Sequence, residues 1–298
     1  MQLSICIPTF NTDVFKLVYA IHAQCEKSGI EYEILIIDDA STSHEILSKN
    51  KDLEKLLNVQ FIKNEVNLGR TKTRKKAAEL SKFSWILFLD SDVVPSSHDF
   101  IANYIRSLNS GYKVILGGYS YCNIKKSDRG FRWNYGKARE EASSEVRNSK
   151  PYGYVFSGNI LVEKNTFLEC NFKEDTKLYG MDIFFSYQLY VNKIPILHID
   201  NLILHEGLDE NEVFFKKSLL SVKSRFYYLK DLPEIEKVNP LLKYYKKLDQ
   251  FGLKKIVGFL FKTLEPNMKK RIVCDEPNLF LFDLYRLGYI CTLEKDIK

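Results

Sequence analysis

Short apolar runs alternate with longer helical patterns over the first 120 residues. The strand-like runs cover residues 3–7, 33–37, 59–62 and 84–89, and helical patterns lie between them at residues 13–28, 44–57 and 70–80. Strands that alternate with helices are typical of βαβ units, so this part of the chain predicts a mostly parallel sheet. The last run is almost wholly apolar, which predicts a strand buried on both of its faces.

The pattern changes twice beyond residue 120. Apolar runs return at residues 154–162 and 195–203 with less regular spacing, which predicts a mixed α and β half. From about residue 213 the pattern is helical and basic, and we expect it to be broken at four prolines, Pro233, Pro240, Pro266 and Pro277. The expected organisation is one α/β domain at residues 1–212, in halves 1–120 and 121–212, and a helical basic C-terminal extension at residues 213–298.

Polar residues follow each predicted strand of the first half at its carboxyl end. The clusters cover residues 8–11, 38–42, 64–70 and 90–92. A turn or a helix cap explains each cluster when it is taken alone. In an open parallel sheet, however, ligands bind in the crevice beyond the carboxyl ends of the strands. Four clusters at one edge therefore predict a ligand site at that edge.

The cluster Asp90-Ser91-Asp92 is the hardest to explain by structure alone. Two carboxylates one residue apart after a buried strand repel each other unless a cation lies near them. Mg²⁺ and Mn²⁺ take oxygen ligands, commonly one or two carboxylates together with phosphate oxygens. The cluster therefore predicts a divalent metal and a diphosphate ligand, and the alternative is a strand-terminal turn with solvated acids.

Four motifs resemble those of glycosyltransferase family 2, in the same order and with similar spacing. They are SICIPTFN at residues 4–11, IIDDAST at 36–42, NLGR at 67–70 and FLDSD at 88–92. The resemblance covers roughly residues 1–210 and implies the GT-A fold, in which helices flank a mixed central sheet with a Rossmann-like nucleotide-binding half. Under this resemblance residues 1–120 bind the nucleotide and residues 121–212 form the acceptor half. The run at residues 194–207 resembles a Bacteroidetes-like branch of the family.

The resemblance also implies roles for individual residues. Asp39 is expected to accept a hydrogen bond from the base, Asp90 to contact the ribose, and Arg74 to offset donor phosphate charge. A Mn²⁺ or Mg²⁺ ion is expected at Asp92 and His205. The residues expected to bind the donor are Pro8, Thr9, Asn11, Asp39, Asn67, Gly69, Arg70, Arg74, Asp90 and Ser91. The helix motif departs from the family at Lys75, where Asn is common.

Residues 179–182 resemble the family motif in which a glycine precedes an acidic pair. Met181 stands where Glu is common, so Asp182 is the one carboxylate of the pair, and a single carboxylate suffices as a base. We expect Asp182 to be the catalytic base; the alternative role for Asp182 is a helix cap. A further cluster of aromatic and basic residues is a second place for sugar contacts, or else an amphipathic helix: Tyr119, Arg132, Trp133, Tyr135 and Arg139.

The basic excess of the chain lies in its last part. The composition, 45% hydrophobic and 28% charged, is that of a globular protein. Residues 211–298 hold 18 Lys and Arg against 11 Asp and Glu, whereas the preceding residues hold 26 against 27. Because the basic residues are interleaved with apolar ones, notably at 251–262, an anionic membrane surface is a better partner than nucleic acid. The alternative is that the apolar face covers the catalytic domain and leaves the lysines in water.

Location and redox state follow from features the sequence lacks. Six cysteines are scattered without a C-x-x-C pair, which favours a reducing compartment and no zinc site. We find no leader-like segment and no run of roughly 18 apolar residues. We therefore expect a cytoplasmic protein that contacts the inner face of the membrane at its periphery.

The resemblance implies a metal-dependent, inverting, hexosyltransferase-type glycosyltransferase. It is expected to move a sugar from a nucleotide sugar, with UDP as the first choice, to a hydroxyl of a glycan or lipid-linked acceptor in surface glycan or polysaccharide biosynthesis. The alternative, suggested by Met181, is a catalytically weak nucleotide-sugar-binding or scaffold protein of the same fold. A nucleotidyltransferase is disfavoured because no glycine-rich basic loop follows the first strand.

Overall fold

Strands and helices alternate at the start of the chain as the hydrophobic pattern predicts. The computed structural model describes residues 1–123, 127–172 and 179–294. The first strands are β1 (Gln2–Thr9), β2 (Glu31–Asp38), β3 (Val59–Lys63) and β4 (Trp85–Leu89). The helices between them are α1 (Phe15–Ser28), α2 (His44–Asp52) and α3 (Arg70–Leu80).

Shorter elements make up the middle of the chain. The strands are β5 (Val93–Pro95), β6 (Val114–Leu116), β7 (Tyr119–Ser120), β8 (Asn159–Glu163), β9 (Ile196–His198) and β10 (Ile203–His205). The helices are α4 (Phe100–Ser107), α5 (Gly130–Arg139), α6 (Ser144–Asn148), α7 (Lys164–Cys170) and α8 (Asp182–Val191).

Among the described residues, seven strands form one mixed sheet in the order β3-β2-β1-β4-β8-β6-β9. The strands β1 to β4 are parallel, and β8 runs antiparallel to both β4 and β6. The centre of the sheet is buried because helices cover it: Ile86, Leu87, Phe88 and Leu89 of β4 are all 0% exposed. Each such side chain contributes roughly 1.5–3 kcal/mol by leaving water. Three short strands form a second sheet in the order β5-β10-β7.

The described chain divides into two compact units. The first consists of Met1–Cys122, Glu140–Lys177 and Gln188–Gly207, and the second of Asn123–Arg139, Leu178–Tyr187 and Leu208–Lys298. The C-terminal helices therefore share their unit with two segments from the middle of the chain. The division at residues 212 and 213, drawn from sequence, stays a prediction about folding domains.

The second unit is helical and has its own core. Its C-terminal elements are α9 (Asn211–Ser224), a π-helical turn (Arg225–Leu229), α10 (Pro240–Gln250), α11 (Lys254–Ile272) and α12 (Leu279–Thr292). A hydrophobic cluster, mostly aromatic, joins α5, α9, α11 and α12; its members are Phe131, Phe214, Phe215, Phe261, Ile272, Phe282 and Tyr285. The packing of α11 on α12 is close, because a Cβ atom at Gly288 would overlap with the Phe261 ring.

One expected helix break is wrong. Pro266 lies inside α11, which continues from Lys254 to Ile272. An interior proline removes one backbone hydrogen bond and costs a helix about 3 kcal/mol. The helix nevertheless continues because Phe261 before the proline and Ile272 after it are both anchored in the aromatic core. Packing on both sides outweighs the local preference of proline.

A buried arginine fixes the chain where β6 leads into β7. Arg147 is 1% exposed and donates hydrogen bonds to the carbonyl oxygens of Leu116, Gly117 and Ile199. Its Nη1 also lies 3.3 Å from Nδ1 of His198. Burial, opposed by a hydrogen bond to Pro151 and reinforced by the Arg147 charge, lowers the pKa of His198 to about 4, so this ring is neutral at pH 7. Nothing in the hydrophobic pattern singled out Arg147.

Candidate active site

The four polar clusters lie at the carboxyl edge of the parallel strands, and hydrogen bonds link the first two. Asn11 has a φ of 50°, a conformation that Asn tolerates better than most residues. Its Oδ1 accepts hydrogen bonds from the backbone nitrogens of Thr42 at 2.8 Å and Ser43 at 3.1 Å. Thr9, at the end of β1, accepts a backbone hydrogen bond from Asp39 at 2.8 Å. Pro8 and Thr9 end β1, and the loop that follows them is therefore held against the loop after β2.

Asp39 organises the third cluster. Its Oδ1 accepts from the backbone nitrogen of Leu68 at 2.7 Å and from Asn64 at 2.9 Å, and its Oδ2 accepts from the nitrogen of Gly69 at 2.8 Å. Asn67 donates to the Asp39 carbonyl at 2.9 Å. Gly69 has a φ of 84° just before α3 begins, a conformation that glycine adopts without steric cost. The Asp39 carboxylate therefore shapes this loop in addition to the base contact expected of it.

Two arginines of α3 hold Asp90. Arg70 donates to both carboxylate oxygens, at 2.9 and 2.7 Å, and Arg74 donates to Oδ1. Arg74 is 4% exposed, whereas the Arg70 side chain is half exposed. Burial acts to raise the pKa of Asp90, but the charges of Arg70 and Arg74 outweigh it and lower the pKa to about 2. Arg74 thus forms an ion pair with Asp90, a partner that the sequence did not suggest.

Asp92 has a different environment from Asp90. Its Oδ2 lies 3.7 Å from Nε2 of His205, and its backbone oxygen accepts from the nitrogens of Glu206 and Gly207. Residue 205 is brought there by the pairing of β10 with β5, in which His205 is opposite Val93. Burial, aided by the nearby Asp90 charge and opposed by His205, raises the pKa of Asp92. Asp92 is therefore a carboxylate whose negative charge the surrounding side chains leave poorly compensated.

The pair formed by Asp92 and His205 suits a divalent cation only when further ligands join it. Among the described residues, no group of three or more His, Cys, Asp or Glu lies close enough to hold a metal. Mg²⁺ and Mn²⁺ sites in nucleotide-dependent enzymes commonly use one or two protein ligands and complete their coordination with phosphate oxygens and water. The donor set therefore fits an ion that arrives together with a diphosphate.

The carboxylates of Asp90 and Asp92 occupy space that a side chain at either of two glycines would fill. A Cβ atom at Gly158 would overlap with Oδ2 of Asp90 and with the hydroxyl of Tyr119, and one at Gly207 would overlap with the Asp92 carboxylate. The backbone nitrogen of Asp90 also donates to the Gly158 carbonyl at 3.1 Å. The positions of both carboxylates thus depend on the absence of a side chain on the neighbouring loops.

Alanine at Gly158 or Gly207 is expected to weaken the binding of metal and nucleotide roughly 10- to 100-fold, because each new methyl group displaces a carboxylate. Calorimetric titration with Mn²⁺ and a nucleoside diphosphate measures the change. Gly153→Ala is the matched control, since its Cβ atom would meet only the Lys150 side chain at 3.8 Å. Unchanged binding in both variants would show that the two carboxylates do not form the nucleotide site.

Aromatic rings frame His205. The Tyr121 ring stacks on it with centroids 5.7 Å apart and an interplanar angle of 28°, and the Tyr119 ring lies 6.1 Å away. Tyr121 donates its hydroxyl hydrogen to Glu140, and its backbone nitrogen donates to Glu141. The sequence singled out Tyr119 but missed the other three residues, which lie outside every motif.

Ser91, between Asp90 and Asp92, lies in the first unit, and the remaining predicted residues lie in the second. Asp182 is the first residue of α8. Gly180 has a φ of 78°, and a Cβ atom there would overlap with the Ser221 side chain. Met181 is 5% exposed. Of the aromatic and basic cluster, α5 carries Arg132, Trp133, Tyr135 and Arg139, so the structure assigns them to a different unit from Tyr119.

Sequence comparisons point to one family. Residues 4–169 match the model of glycosyl transferase family 2. A poly(ribitol-phosphate) beta-glucosyltransferase from Bacillus spizizenii is 30% identical over 125 residues, which are 39% of this chain and 19% of that protein. An uncharacterized glycosyltransferase from Haemophilus influenzae is 29% identical over 91 residues, 30% of this chain and 29% of that protein. The chain thus spans less than a third of the length of these two relatives.

Solved structures share the fold. S. aureus TarS (residues 1–349), in complex with UDP, has a TM-score of 0.53 and 20% identity, covering 80% of this chain and 68% of that chain. The mannosyltransferase PcManGT from Pyrobaculum calidifontis, in complex with GDP-Man and Mn²⁺, has a TM-score of 0.55 and 13% identity, covering 81% and 68%. At these identities the likeness shows the fold alone.

Proposed function

The chain belongs to glycosyl transferase family 2, and on that premise we propose that it is a metal-dependent, inverting transferase that uses a nucleoside-diphosphate sugar. The observation that carries the proposal is the contrast between the two carboxylates after β4. Asp90 is neutralised by Arg70 and Arg74, whereas Asp92 faces His205 and keeps a poorly compensated charge. The fixed carboxylate of Asp90 suits hydrogen bonds from the sugar nucleotide, and the uncompensated carboxylate of Asp92 suits a metal ion.

In this proposal Asp92 and His205 hold a Mn²⁺ or Mg²⁺ ion. The bound ion supplies positive charge to the leaving diphosphate. Asp90, oriented by its two guanidinium partners, accepts hydrogen bonds from the donor ribose, in a position that costs little reorganisation because both arginines already fix it. Arg70, with its half-exposed side chain, adds positive charge beside the phosphates.

Asp182 is the proposed catalytic base. It takes the proton of the acceptor hydroxyl as that oxygen attacks the anomeric carbon and the bond to the leaving diphosphate breaks. The support for this role is the glycine-then-acidic motif at residues 179–182 and the place of Asp182 at the start of α8. A carboxylate there needs no second acidic neighbour to act as a base.

Donor and acceptor are proposed from the named relatives. TarS structures hold UDP and UDP-GlcNAc, and PcManGT holds GDP-Man, so a UDP-sugar is the first choice for this chain. The relative from B. spizizenii is named for a poly(ribitol-phosphate) acceptor. A hydroxyl of a surface glycan, polysaccharide or lipid-linked glycan is accordingly the proposed acceptor.

A panel of UDP-, GDP- and dTDP-sugars, each with Mn²⁺, Mg²⁺ or EDTA, tests the proposal by nucleotide release. We expect one nucleotide to be released in a metal-dependent reaction. Metal-dependent nucleotide binding without turnover of any donor would instead favour the scaffold alternative. The buried Met181, in place of the common Glu, would then be the residue to change.

Peripheral membrane contact through α11 belongs to the same proposal. None of the helices in the described part of the chain is both long and apolar enough to cross a membrane. However, α11 exposes an apolar stripe at helical spacing: Ile256, Leu260 and Leu264 are 52–55% exposed, and Phe259 is 72% exposed. Lys255 and Lys262 are exposed on the same helix. An apolar stripe with adjacent lysines suits an anionic lipid surface on the cytoplasmic side.

The double variant Ile256→Ser/Leu260→Ser is expected to weaken binding to vesicles that contain phosphatidylglycerol by roughly tenfold or more, because two apolar side chains no longer enter the interface. Vesicle co-sedimentation measures the change, with pure phosphatidylcholine vesicles to isolate the charge effect. Leu57→Ser is the control, since Leu57 is 69% exposed in the other unit. Equal loss in the control variant would contradict the assignment to α11.

A further inference from the structure

Arg286 of α12 lies against the ring of Tyr135 of α5, and it shares the carboxylate of Asp283 with Arg139 of α5. The guanidinium carbon of Arg286 on α12 lies 5.8 Å from the centre of the Tyr135 ring and 4.6 Å from that of Phe282. Asp283 accepts hydrogen bonds from both Arg286 and Arg139, the latter at 2.7 Å. The single carboxylate of Asp283 is therefore paired with two guanidinium groups. Arg225, in the π-helical turn, is a further cation of this unit.

Arg225 adds a third cation that the described protein does not neutralise by contact. Its Nε is buried and has no hydrogen-bond partner. Within the described ranges, no carboxylate lies within 4.0 Å of its guanidinium nitrogens. The charged neighbours that act on it are Arg286 and Asp182. The cluster thus has more positive than negative charge at Arg225.

This arrangement is costly unless something compensates for it. Burial, and then the like charge of Arg286, lower the pKa of Arg225 to about 10. The guanidinium still remains protonated at pH 7. Arg225 also begins a π-helical turn, a rare deviation that occurs often at functional sites. A partly exposed cation whose Nε is buried, with no carboxylate partner among the described residues and on a distorted helix, is an arrangement that a bound anion stabilises.

We propose that Arg225, together with Arg286 and the Tyr135 hydroxyl, binds an oxyanion, a phosphate or carboxylate group carried by the acceptor. The planar guanidinium offers two parallel N–H groups to two oxygens of such a group. Assignment to the acceptor rests on the proposed function, because the Asp182 charge acts on Arg225 and Asp182 is the proposed base for the acceptor hydroxyl. The donor groups, by contrast, are proposed to bind the strand ends of the first unit.

The proposal is tested by binding of inorganic phosphate and of acetate to the full chain, at constant ionic strength and with EDTA to exclude metal-dependent binding. We expect at least one of these anions to raise the melting temperature of the wild type. Arg225→Met is expected to raise the dissociation constant of that anion at least about tenfold. Arg225→Lys should raise it less, because the positive charge remains while the two parallel N–H groups of the guanidinium are lost. Arg106→Met removes an exposed arginine from α4 in the other unit. It should change neither the rise in melting temperature nor the dissociation constant of the anion.

The stability of Arg225→Met without added anion separates a binding role from a structural one. Removal of an uncompensated charge should leave the melting temperature equal to or above that of the wild type, whereas loss of a structural contact would lower it. Binding of phosphate alone identifies a phosphate-bearing group, and binding of acetate alone a carboxylate. No binding of either anion, or equal binding by Arg225→Met, overturns the proposal. Because these tests need no turnover, they stand even if the chain transfers no sugar.

Discussion

Replacing Asp92 by asparagine is expected to lower the rate of metal-dependent sugar transfer at least about a hundredfold. The substitution removes a negative oxygen ligand beside His205 while it preserves the size of the side chain. The loss of one preorganised electrostatic group typically costs a rate factor of about 10² to 10³. Initial rates of nucleotide release, measured over a range of Mn²⁺ concentrations, give the effect and show whether more metal restores the rate.

The same variant should fold at least as well as the wild type. The pKa of Asp92 is raised, chiefly by burial, so the folded protein bears its charge at a cost, and an uncharged amide relieves that cost. Asp90→Asn is the contrasting variant. The pKa of Asp90 is lowered to about 2 by two arginines, which corresponds to roughly 2 kcal/mol of stability that is present above pH 4 and lost as the pH falls towards 2. Asp90→Asn should therefore lose stability as well as activity.

Asp209→Asn controls for general effects of removing an aspartate. Asp209 is partly exposed and is paired with Lys217 at 2.7 Å. Its replacement should leave the metal dependence unchanged. A rate for Asp92→Asn within a few-fold of that of the wild type would refute the metal-ligand role.

The larger elements of the fold were accessible from the sequence because their signals are local. The predicted helix at residues 70–80 matches α3, and the almost wholly apolar run at residues 84–89 contains the buried strand β4. The predicted family 2 membership is confirmed by the family match, and the predicted GT-A fold by the likeness to solved structures. The Bacteroidetes-like branch stays a prediction.

Features that depend on distant partners were not accessible. The strands β5, β7 and β10 have two or three residues each, too few to show a period, yet their pairing brings His205 beside Asp92. The arginine Arg147 reads in the sequence as an ordinary surface charge, but it is buried against backbone carbonyls. Pro266 was expected to end a helix, and only its packing environment explains why it does not.

The candidate site shows the same limit at the level of individual contacts. The motifs placed Asp39, Asp90 and Arg74 at one edge of the sheet, but not which side chain each of them contacts. The loop-shaping bonds of Asp39 and the ion pair of Arg74 with Asp90 follow from three-dimensional packing. Their roles in donor binding, and those of Asp92 and His205, stay predictions.

Replacing Asp182 by asparagine is expected to reduce transfer to an acceptor by about 10² to 10⁴, the range typical for loss of a general base. The amide cannot take the acceptor proton, but it preserves the size of the side chain at the start of α8. Nucleotide affinity should therefore remain unchanged. Measurement of transfer and of calorimetric nucleotide binding on the same preparation separates the two properties.

Asp231→Asn is the matched control, because Asp231 is exposed and lies in the same unit, beside Lys230. Transfer that persists in Asp182→Asn, with binding also intact, would mean that another group takes the proton. Met181→Glu then becomes informative. Since Met181 is 5% exposed, a glutamate there must be desolvated and should lower stability. A gain of transfer despite that cost would show that this chain lacks a carboxylate which its chemistry needs, whereas a loss of both transfer and stability would show that a second carboxylate at residue 181 is not needed.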